Sequence, residues 1–230
     1  MQGKKDISDY SLEEFFRILD KHLVEDDKPS VFLEREDVKK FFREREPFKH
    51  LYALREIEQS TLYHPEGSVW NHTLLVVDEA AKRRDLSKNP RVFMWAALLH
   101  DLGKLKTTEV RKGKITAYDH DKIGAYMAEE FLQKLNCDEV FIREVVKLVR
   151  WHMQVLFVVK GLPFAEVERM MQEINENEVA LLAICDRLGR GELTEEIKDK
   201  EENDVRKFLE VCRKIKSGEK PEVAKERRIK

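Results

Sequence analysis

The sequence predicts an all-α protein, and three observations carry that expectation. Apolar residues recur at helical spacing through most of the chain, and no stretch alternates with period two for long enough to build a sheet. Only 9 glycines and 6 prolines punctuate the 230 residues. Charged residues make up 38% of the chain, well above the roughly 25% of typical soluble proteins. This suits helices with solvated outer faces, while a hydrophobic share of 42% still supplies a core.

The helices follow in order. Ser11 and Glu14 have the spacing of a capping box, ahead of an apolar face of Leu12, Phe15, Phe16, Leu19 and Leu23. Pro29 is expected to break the chain. Val38, Phe41 and Phe42 mark a second helix closed by Pro47, and Leu51, Leu54 and Ile57 a short third. His64 to Ser68 reads as a turn. A strong helix is expected from about Asn71 to Arg84, burying Leu74, Leu75, Val77 and Ala81. Asn89-Pro90 opens the next, where Phe93, Trp95, Ala96, Leu98 and Leu99 make the helix apolar almost all round, hence central. Gly103 is read as its left-handed cap. After a turn at Lys112-Gly113-Lys114, helices are expected from near Lys122 to Leu135, from Asp138 toward His152, from Pro163 to near Met171, from Glu178 to Leu188 and from Thr194 to Lys214. The organisation expected is a helical N-terminal extension (1–50) packed on a core, a central domain (51–192), and a charged C-terminal helix with a basic tail (193–230).

A formal net charge of -2 provides no global attraction for nucleic acid. Lys225, Arg227, Arg228 and Lys230 make the end locally basic, which reads first as a solvated terminus. Cys137, Cys185 and Cys212 show no paired spacing, as in a reducing compartment. Met1 to Tyr10 is polar, unlike a signal peptide, and no apolar run approaches the roughly 18 residues of a membrane span. A cytoplasmic protein with no membrane partner is expected.

The chemistry-bearing residues stand out by context. His-Asp occurs twice, at His100-Asp101 and His120-Asp121. The first pair ends the most apolar helix, where a buried imidazole and carboxylate need a partner or a metal to offset lost hydration. The second lies at a loop-to-helix junction, where Asp121 reads as a cap. His72 opens an apolar-faced helix, His152 closes another, and Asp186 interrupts the run Ala180 to Cys185. Helix ends from separate elements can converge on one point. Four histidines and two carboxylates there form a nitrogen/oxygen shell for iron, manganese, cobalt, nickel or zinc rather than calcium. Asp101 is the natural bridge between two such ions.

Three segments resemble the HD domain that follows the polymerase part of some bacterial CCA-adding tRNA nucleotidyltransferases: Tyr63 to Leu74, Ala97 to Lys104, and Cys185 to Arg190. The similarity runs over roughly residues 50 to 190. The order His72, His100-Asp101, His120, His152, Asp186 is that of the binuclear HD branch. This resemblance implies a helical HD bundle with extra terminal helices, one or two divalent transition-metal ions, and phosphohydrolase activity on a nucleotide or related phosphate ester. No Gly-Ser nucleotidyltransferase motif with paired carboxylates accompanies it, so a stand-alone HD protein is expected, with the tRNA end a secondary candidate partner.

Under that reading Asp101 and Lys104 serve catalysis, through a metal-activated hydroxide and through charge stabilisation at Lys104. Lys104, Arg187 and Arg190 are the substrate-binding candidates, the two arginines as a phosphate fork. His64 is read as structural at the pocket entrance, and Thr107 and Thr108 as loop-ending. Trp151, Tyr118 and Tyr126 are read as core, and His22 and His50 as surface. A di-iron oxygenase and a non-catalytic nucleotide-binding module are the competing functions.

Overall fold

Ser11 Oγ accepts the Glu14 amide at 3.1 Å, and the Glu14 carboxylate accepts the Ser11 amide at 2.8 Å. This reciprocal cap starts α1 (Leu12–Glu25) in the computed structural model, which describes residues 7–191 and 193–219. The basic tail of Lys225, Arg227, Arg228 and Lys230 lies outside the described residues. Pro29 does more than break the chain. It occupies the first position of α2 (Pro29–Leu33), where a missing amide hydrogen is harmless and φ is preset. α3 (Glu36–Glu44) and α4 (Lys49–Ala53) follow, the latter tightening into a 3-10 turn over Leu54–Glu56. Phe15, Phe41, Phe42 and Phe48 pack into one aromatic cluster, with the Phe15 and Phe41 rings 4.0 Å apart. Phe42 reaches Trp70 and Phe48 reaches Phe131, so the N-terminal helices share a single core with the rest. His22 and His50 are half-buried rather than on the surface; His22 stacks on Phe32 and bonds Asp26 at 2.8 Å.

α5 (Val69–Ala81) begins earlier than expected, because Ser68 Oγ caps the Asn71 amide at 3.2 Å. Its buried stripe is also displaced. Trp70, Val76, Val77 and Ala80 are sealed while Leu74 and Leu75 are half-buried, since α5 is packed by α2 on one side and by later helices on the other. α6 (Pro90–Leu99) is capped by Asn89, and every residue from Val92 to Leu99 is buried. It is the central helix, touching α1 and α5 and two later helices, α9 (Glu139–Trp151) and α12 (Glu176–Leu188).

Directly after α6 the chain departs from expectation in three places, up to the start of α8. Gly103 is not a left-handed cap. Its backbone is right-handed helical, and it opens the short α7 (Lys104–Thr107). Its lack of a side chain serves close approach instead: a Cβ there would lie 2.1 Å from the His120 carbonyl oxygen and 2.5 Å from the Gly124 nitrogen. Next, Lys112-Gly113 is the two-residue turn of a hairpin, β1 (Thr108–Arg111) paired antiparallel with β2 (Lys114–Ala117). Both turn residues have positive φ, as such a turn requires. Four-residue strands left no pattern long enough to read. Third, α8 (His120–Gln133) starts at His120, so Asp121 is no cap; it is buried and accepts from Arg150 at 2.7 Å.

Asp138 caps α9 as expected, through the amides of Val140 and Phe141. An extra helix, α10 (Gln154–Val159), follows, and Pro163 lies in the turn before α11 (Val167–Glu173) rather than opening it. After α12, Thr194 caps α13 (Glu195–Lys216). Trp151 is core and donates to Glu173 at 3.0 Å, whereas Tyr118 and Tyr126 are exposed, contrary to expectation. No helix among the described residues is long and apolar enough to cross a membrane. The chain is a helical bundle with one small hairpin.

Candidate metal centre

The last carbonyls of a helix have no intrahelical partner. His100 immediately follows α6 and His152 immediately follows α9. Each turns its Nδ1 back onto the carbonyl three residues earlier, Ala97 at 2.8 Å and Val149 at 2.6 Å. His120 begins α8 and makes the same contact to Ala117, the last residue of β2, at 2.7 Å. His72, in the first turn of α5, reaches the Gly189 carbonyl at 3.0 Å, with a Glu66 oxygen 2.9 Å from the same nitrogen. A carbonyl only accepts, so each Nδ1 carries the proton and each Nε2 is the nitrogen left to act.

Those Nε2 atoms gather around Asp101. Its Oδ2 lies 3.3 Å from His100 Nε2 and 3.8 Å from His72 Nε2, and its Oδ1 lies 3.5 Å from His120 Nε2. The Nε2 atoms of His120 and His152 are 3.3 Å apart, and Asp186 Oδ1 lies 2.9 Å from His72 Nε2. All six expected ligand residues therefore meet. Two close approaches enforce the meeting. Gly103 lets the start of α8 settle onto the His100-Asp101 turn. Gly189, whose added Cβ would be 2.6 Å from the Val76 side chain and 2.9 Å from its nitrogen, holds the end of α12 against α5.

The donor set fits divalent ions. Ligands of one ion at about 2.1 Å, in tetrahedral or octahedral geometry, sit roughly 3.0–3.4 Å from each other, close to the separations above. His72, His100 and Asp101 form one candidate group and Asp101, His120 and His152 a second, sharing Asp101. His100 Nε2 is buried with no hydrogen-bond partner among the described residues. Facing lone pairs on His120 and His152 would repel, and a cation between them removes that repulsion.

Electrostatics hold the two aspartates ionised and leave His72 with an Nε2 proton that ligation must displace. Burial alone would raise the carboxyls of Asp101 and Asp186. It is outweighed at Asp101 by the Lys104 ammonium and His100, and at Asp186 by His72 and Arg190, so both stay well below the usual carboxylate range. Burial depresses His120 and His152 to about 4, keeping both imidazoles neutral. At His72 burial is overcome by hydrogen bonds to Asp186 and Glu66, which raise it to about 9.

A cavity of about 570 Å³ opens onto Asp101, Asp186, His120 and His152. The hairpin, through Thr108 and Ile115 to Ala117, forms one wall, and α10, through Val155 and Leu156, forms another. Lys104 lies where expected, its Nζ 2.7 Å from Asp101 Oδ2. Arg190 lines the cavity, with its Nε buried and unpartnered among the described residues. Arg187 lines the same cavity, with its Nη2 buried and unpartnered among the described residues. It is buried and paired with Glu201 and Asp204 of α13, so its guanidinium joins two helices. Thr108 lines the cavity, and Thr107 bonds back to Gly103.

Sequence reasoning missed Gln59 and Glu66. Glu66 takes contacts at 2.9 Å from both His64 and His72; burial would raise its carboxyl, but the two imidazoles bring it to about 2. His64 lines the cavity, where a structural role was the favoured expectation, and its ring is 4.8 Å from that of His72. The triplet His64-Pro65-Glu66 was the available signal. Gln59, a neutral amide in a loop, offered none.

Sequence comparison finds relatives of this chain among known proteins. Over 121 residues the chain is 32% identical to the Multifunctional CCA protein of Pseudomonas fluorescens (strain SBW25), covering 50% of this chain and 27% of that protein. Over 101 residues it is 34% identical to the protein of the same name from Halorhodospira halophila (strain DSM 244 / SL1), covering 44% and 23%. A 57-residue stretch is 42% identical to that of Actinobacillus pleuropneumoniae serotype 5b (strain L20), covering 25% and 13%. The chain thus spans about a quarter or less of the length of these relatives. The HD domain family matches residues 69–191, more than half of the chain and the segment that holds all six converging histidines and aspartates. The chain belongs to the HD domain family.

Proposed function

We propose that this chain is a metal-dependent phosphohydrolase acting on a small phosphate ester, nucleotide-like in character. HD domains form a superfamily of metal-dependent phosphohydrolases, and one observation carries the reading for this member. Four imidazoles have Nδ1 fixed on a carbonyl; three of them place Nε2 within 3.3–3.8 Å of the oxygens of a single buried carboxylate, and the fourth, His152, places its Nε2 3.3 Å from that of His120. Backbone contacts of this kind orient a metal-binding imidazole and fix its tautomer.

In the proposed arrangement His72, His100, Asp101 and Asp186 hold one divalent ion, and Asp101, His120 and His152 hold a second. Iron, manganese, cobalt, nickel and zinc all suit such ligands. Bound there, the ions supply Lewis acidity and bring the pKa of a coordinated water down to about 7. The protein's own groups do the rest. Lys104 has three N–H donors. Two are engaged, by Asp101 and by Gln59, each at 2.7 Å, which leaves one for a phosphoryl oxygen as charge builds on it. Arg190 adds a second cation at the cavity, and its guanidinium also holds the Asp186 carboxylate ionised. The apolar flank of the hairpin and α10 accommodates the organic part of the ester. Among the relatives' names, "Multifunctional CCA protein" makes a tRNA end a secondary candidate partner. Three unpaired cysteines suit a cytoplasmic setting.

The test combines metal analysis of the purified protein with hydrolysis of p-nitrophenyl phosphate and its bis ester under a panel of divalent ions. Metal-dependent release is expected in the wild type and its loss in His100→Ala and Asp101→Ala. Turnover unchanged in either variant overturns the site, and equal activity in metal-stripped protein overturns the reaction class.

A further inference from the structure

We infer that Gln59, from the loop ahead of the family-matched segment, is a substrate-binding residue that donates its side-chain amide to an anionic oxygen beside Lys104; this rests on the phosphohydrolase reading. The orientation of the amide follows from chemistry. Lys104 Nζ lies 2.7 Å from Gln59 at the atom assigned Oε1. An ammonium has only donors, so the atom facing it must be the carboxamide oxygen, and the NH₂ is thereby turned away from Lys104. That NH₂ is buried and has no hydrogen-bond partner among the described residues, although Gln59 is only 6% exposed and lines the metal-site cavity. Buried amide hydrogens are rarely left unmatched unless a ligand or ordered water takes them.

The backbone makes this placement firm. Glu58 bridges to Ser68, and the Val69 amide bonds the Ile57 carbonyl at 2.9 Å, so the residues flanking Gln59 are tied to the start of α5. The loop from 60 to 67, closed by that tie, brings His64 and Glu66 to His72. Gln59 therefore stands on the same support as the centre it faces. The unpartnered amide NH₂ and the remaining Lys104 hydrogen are both donors at this end of the cavity. They select a ligand oxygen with lone pairs on two sides, as a phosphoryl group has, and reject an amine or a cation.

Two variants separate donation from the support of Lys104. Gln59→Glu keeps an oxygen for Lys104 but replaces the NH₂ donor with a second carboxylate oxygen. Gln59→Leu removes both roles. Each is compared with wild type, in the metal-loaded state, for binding of inorganic phosphate by calorimetry and for hydrolysis of bis-p-nitrophenyl phosphate. Metal affinity and melting temperature are measured in parallel. A hydrogen bond to a charged group corresponds to roughly 10- to 100-fold in affinity. Gln59→Glu is expected to weaken phosphate binding and raise KM by at least about tenfold with kcat much less affected. Gln59→Leu is expected to lower kcat as well. Phosphate affinity and KM of Gln59→Glu equal to wild type, with metal content intact, overturn the inference while the phosphohydrolase reading stands. Absence of both phosphate binding and hydrolysis in wild type overturns both.

Discussion

Replacing Gly103 with alanine should uncouple one half of the centre from the other. The new Cβ would sit 2.1 Å from the His120 carbonyl oxygen, 2.5 Å from the Gly124 nitrogen and 2.9 Å from its Cα, all backbone atoms of one helical turn. Real Cβ atoms essentially never approach within 3.0 Å, so α8 must retreat by about 1 Å. His120 Nε2 lies 3.5 Å from Asp101 Oδ1. Two ligands at about 2.1 Å from one ion can be at most about 4.2 Å apart, and then only on opposite sides of it. The retreat takes the His120 and Asp101 pair to that limit, while His72, His100 and Asp186 lie on elements that Gly103 does not displace. Titration of metal-stripped Gly103→Ala with manganese is expected to retain one strong site and weaken the other at least about tenfold, with hydrolysis falling by about 100-fold. Overpacking of this kind costs about 1–3 kcal/mol, a fall in Tm of about 2–12 °C. Gly124→Ala supplies a graded comparison, because its Cβ would come no closer than 3.2 Å to Gly103 nitrogen, and it should fall between the two. Two ions bound by Gly103→Ala with wild-type affinity would refute the argument.

Three further outcomes follow from the geometry. Glu66→Gln removes the carboxylate from His72 Nδ1 and should weaken metal binding by about 10- to 100-fold, read by calorimetry; an unchanged affinity would leave Glu66 only a fold role. Metal-stripped protein should lose stability as pH falls from 6.5 toward 4.5. His120 and His152 stand at about 4 when folded and near 6.5 unfolded, so the unfolded chain binds more protons across that window and stability drops. His72, at about 9 when folded and near 6.5 when unfolded, opposes this drop only near the top of the window, and Glu66, at about 2 when folded and 4.5 when unfolded, adds to it near the bottom. Melting curves against pH check this, and the slope should flatten in His120→Gln and His152→Gln. Finally, Arg187→Ala leaves Glu201 and Asp204 buried without their cation and should cost about 3–5 kcal/mol in urea unfolding, with little change in KM. A raised KM at unchanged stability would return Arg187 to the substrate.

The elements that the sequence made legible are those whose signal is local. Ser11, Asn89, Asp138 and Thr194 each cap the helix they precede because a cap is decided within three residues. α6 was legible as central because apolarity all round leaves no face for water. The hairpin was not, since each strand is four residues long and its exposed positions do not alternate cleanly with buried ones. Gly103 was misread because its requirement lies in Gly124 and His120, distant in sequence. α13 read as merely charged, yet Glu201, Asp204, Phe208 and Cys212 form its buried stripe, and the acidic pair there is matched by Arg187. Pairing of that kind is visible only when both partners are in place. Gln59 has the same difficulty: its meaning comes entirely from Lys104 and the cavity.

The candidate ligand residues were legible for a different reason, which bears on how metal and fold would be linked. A histidine at the end of a buried helix is an odd residue to terminate with, yet it satisfies an orphan carbonyl through Nδ1 while directing Nε2 away from the helix. The same imidazole thus serves helix termination with one nitrogen and the centre with the other. The backbone bond uses the nitrogen that an ion would not, so helix termination and ligation do not compete for one atom. What the fold cannot supply is a partner for the inward-facing atoms. His100 Nε2 is buried without one among the described residues, and His120 and His152 bring two lone pairs to 3.3 Å of each other beside Asp101. A cation at that point turns mutual repulsion among buried groups into attraction toward a shared centre. Because it binds the folded arrangement and not six residues dispersed along an unfolded chain, its affinity adds directly to stability and grows with the logarithm of its concentration over Kd.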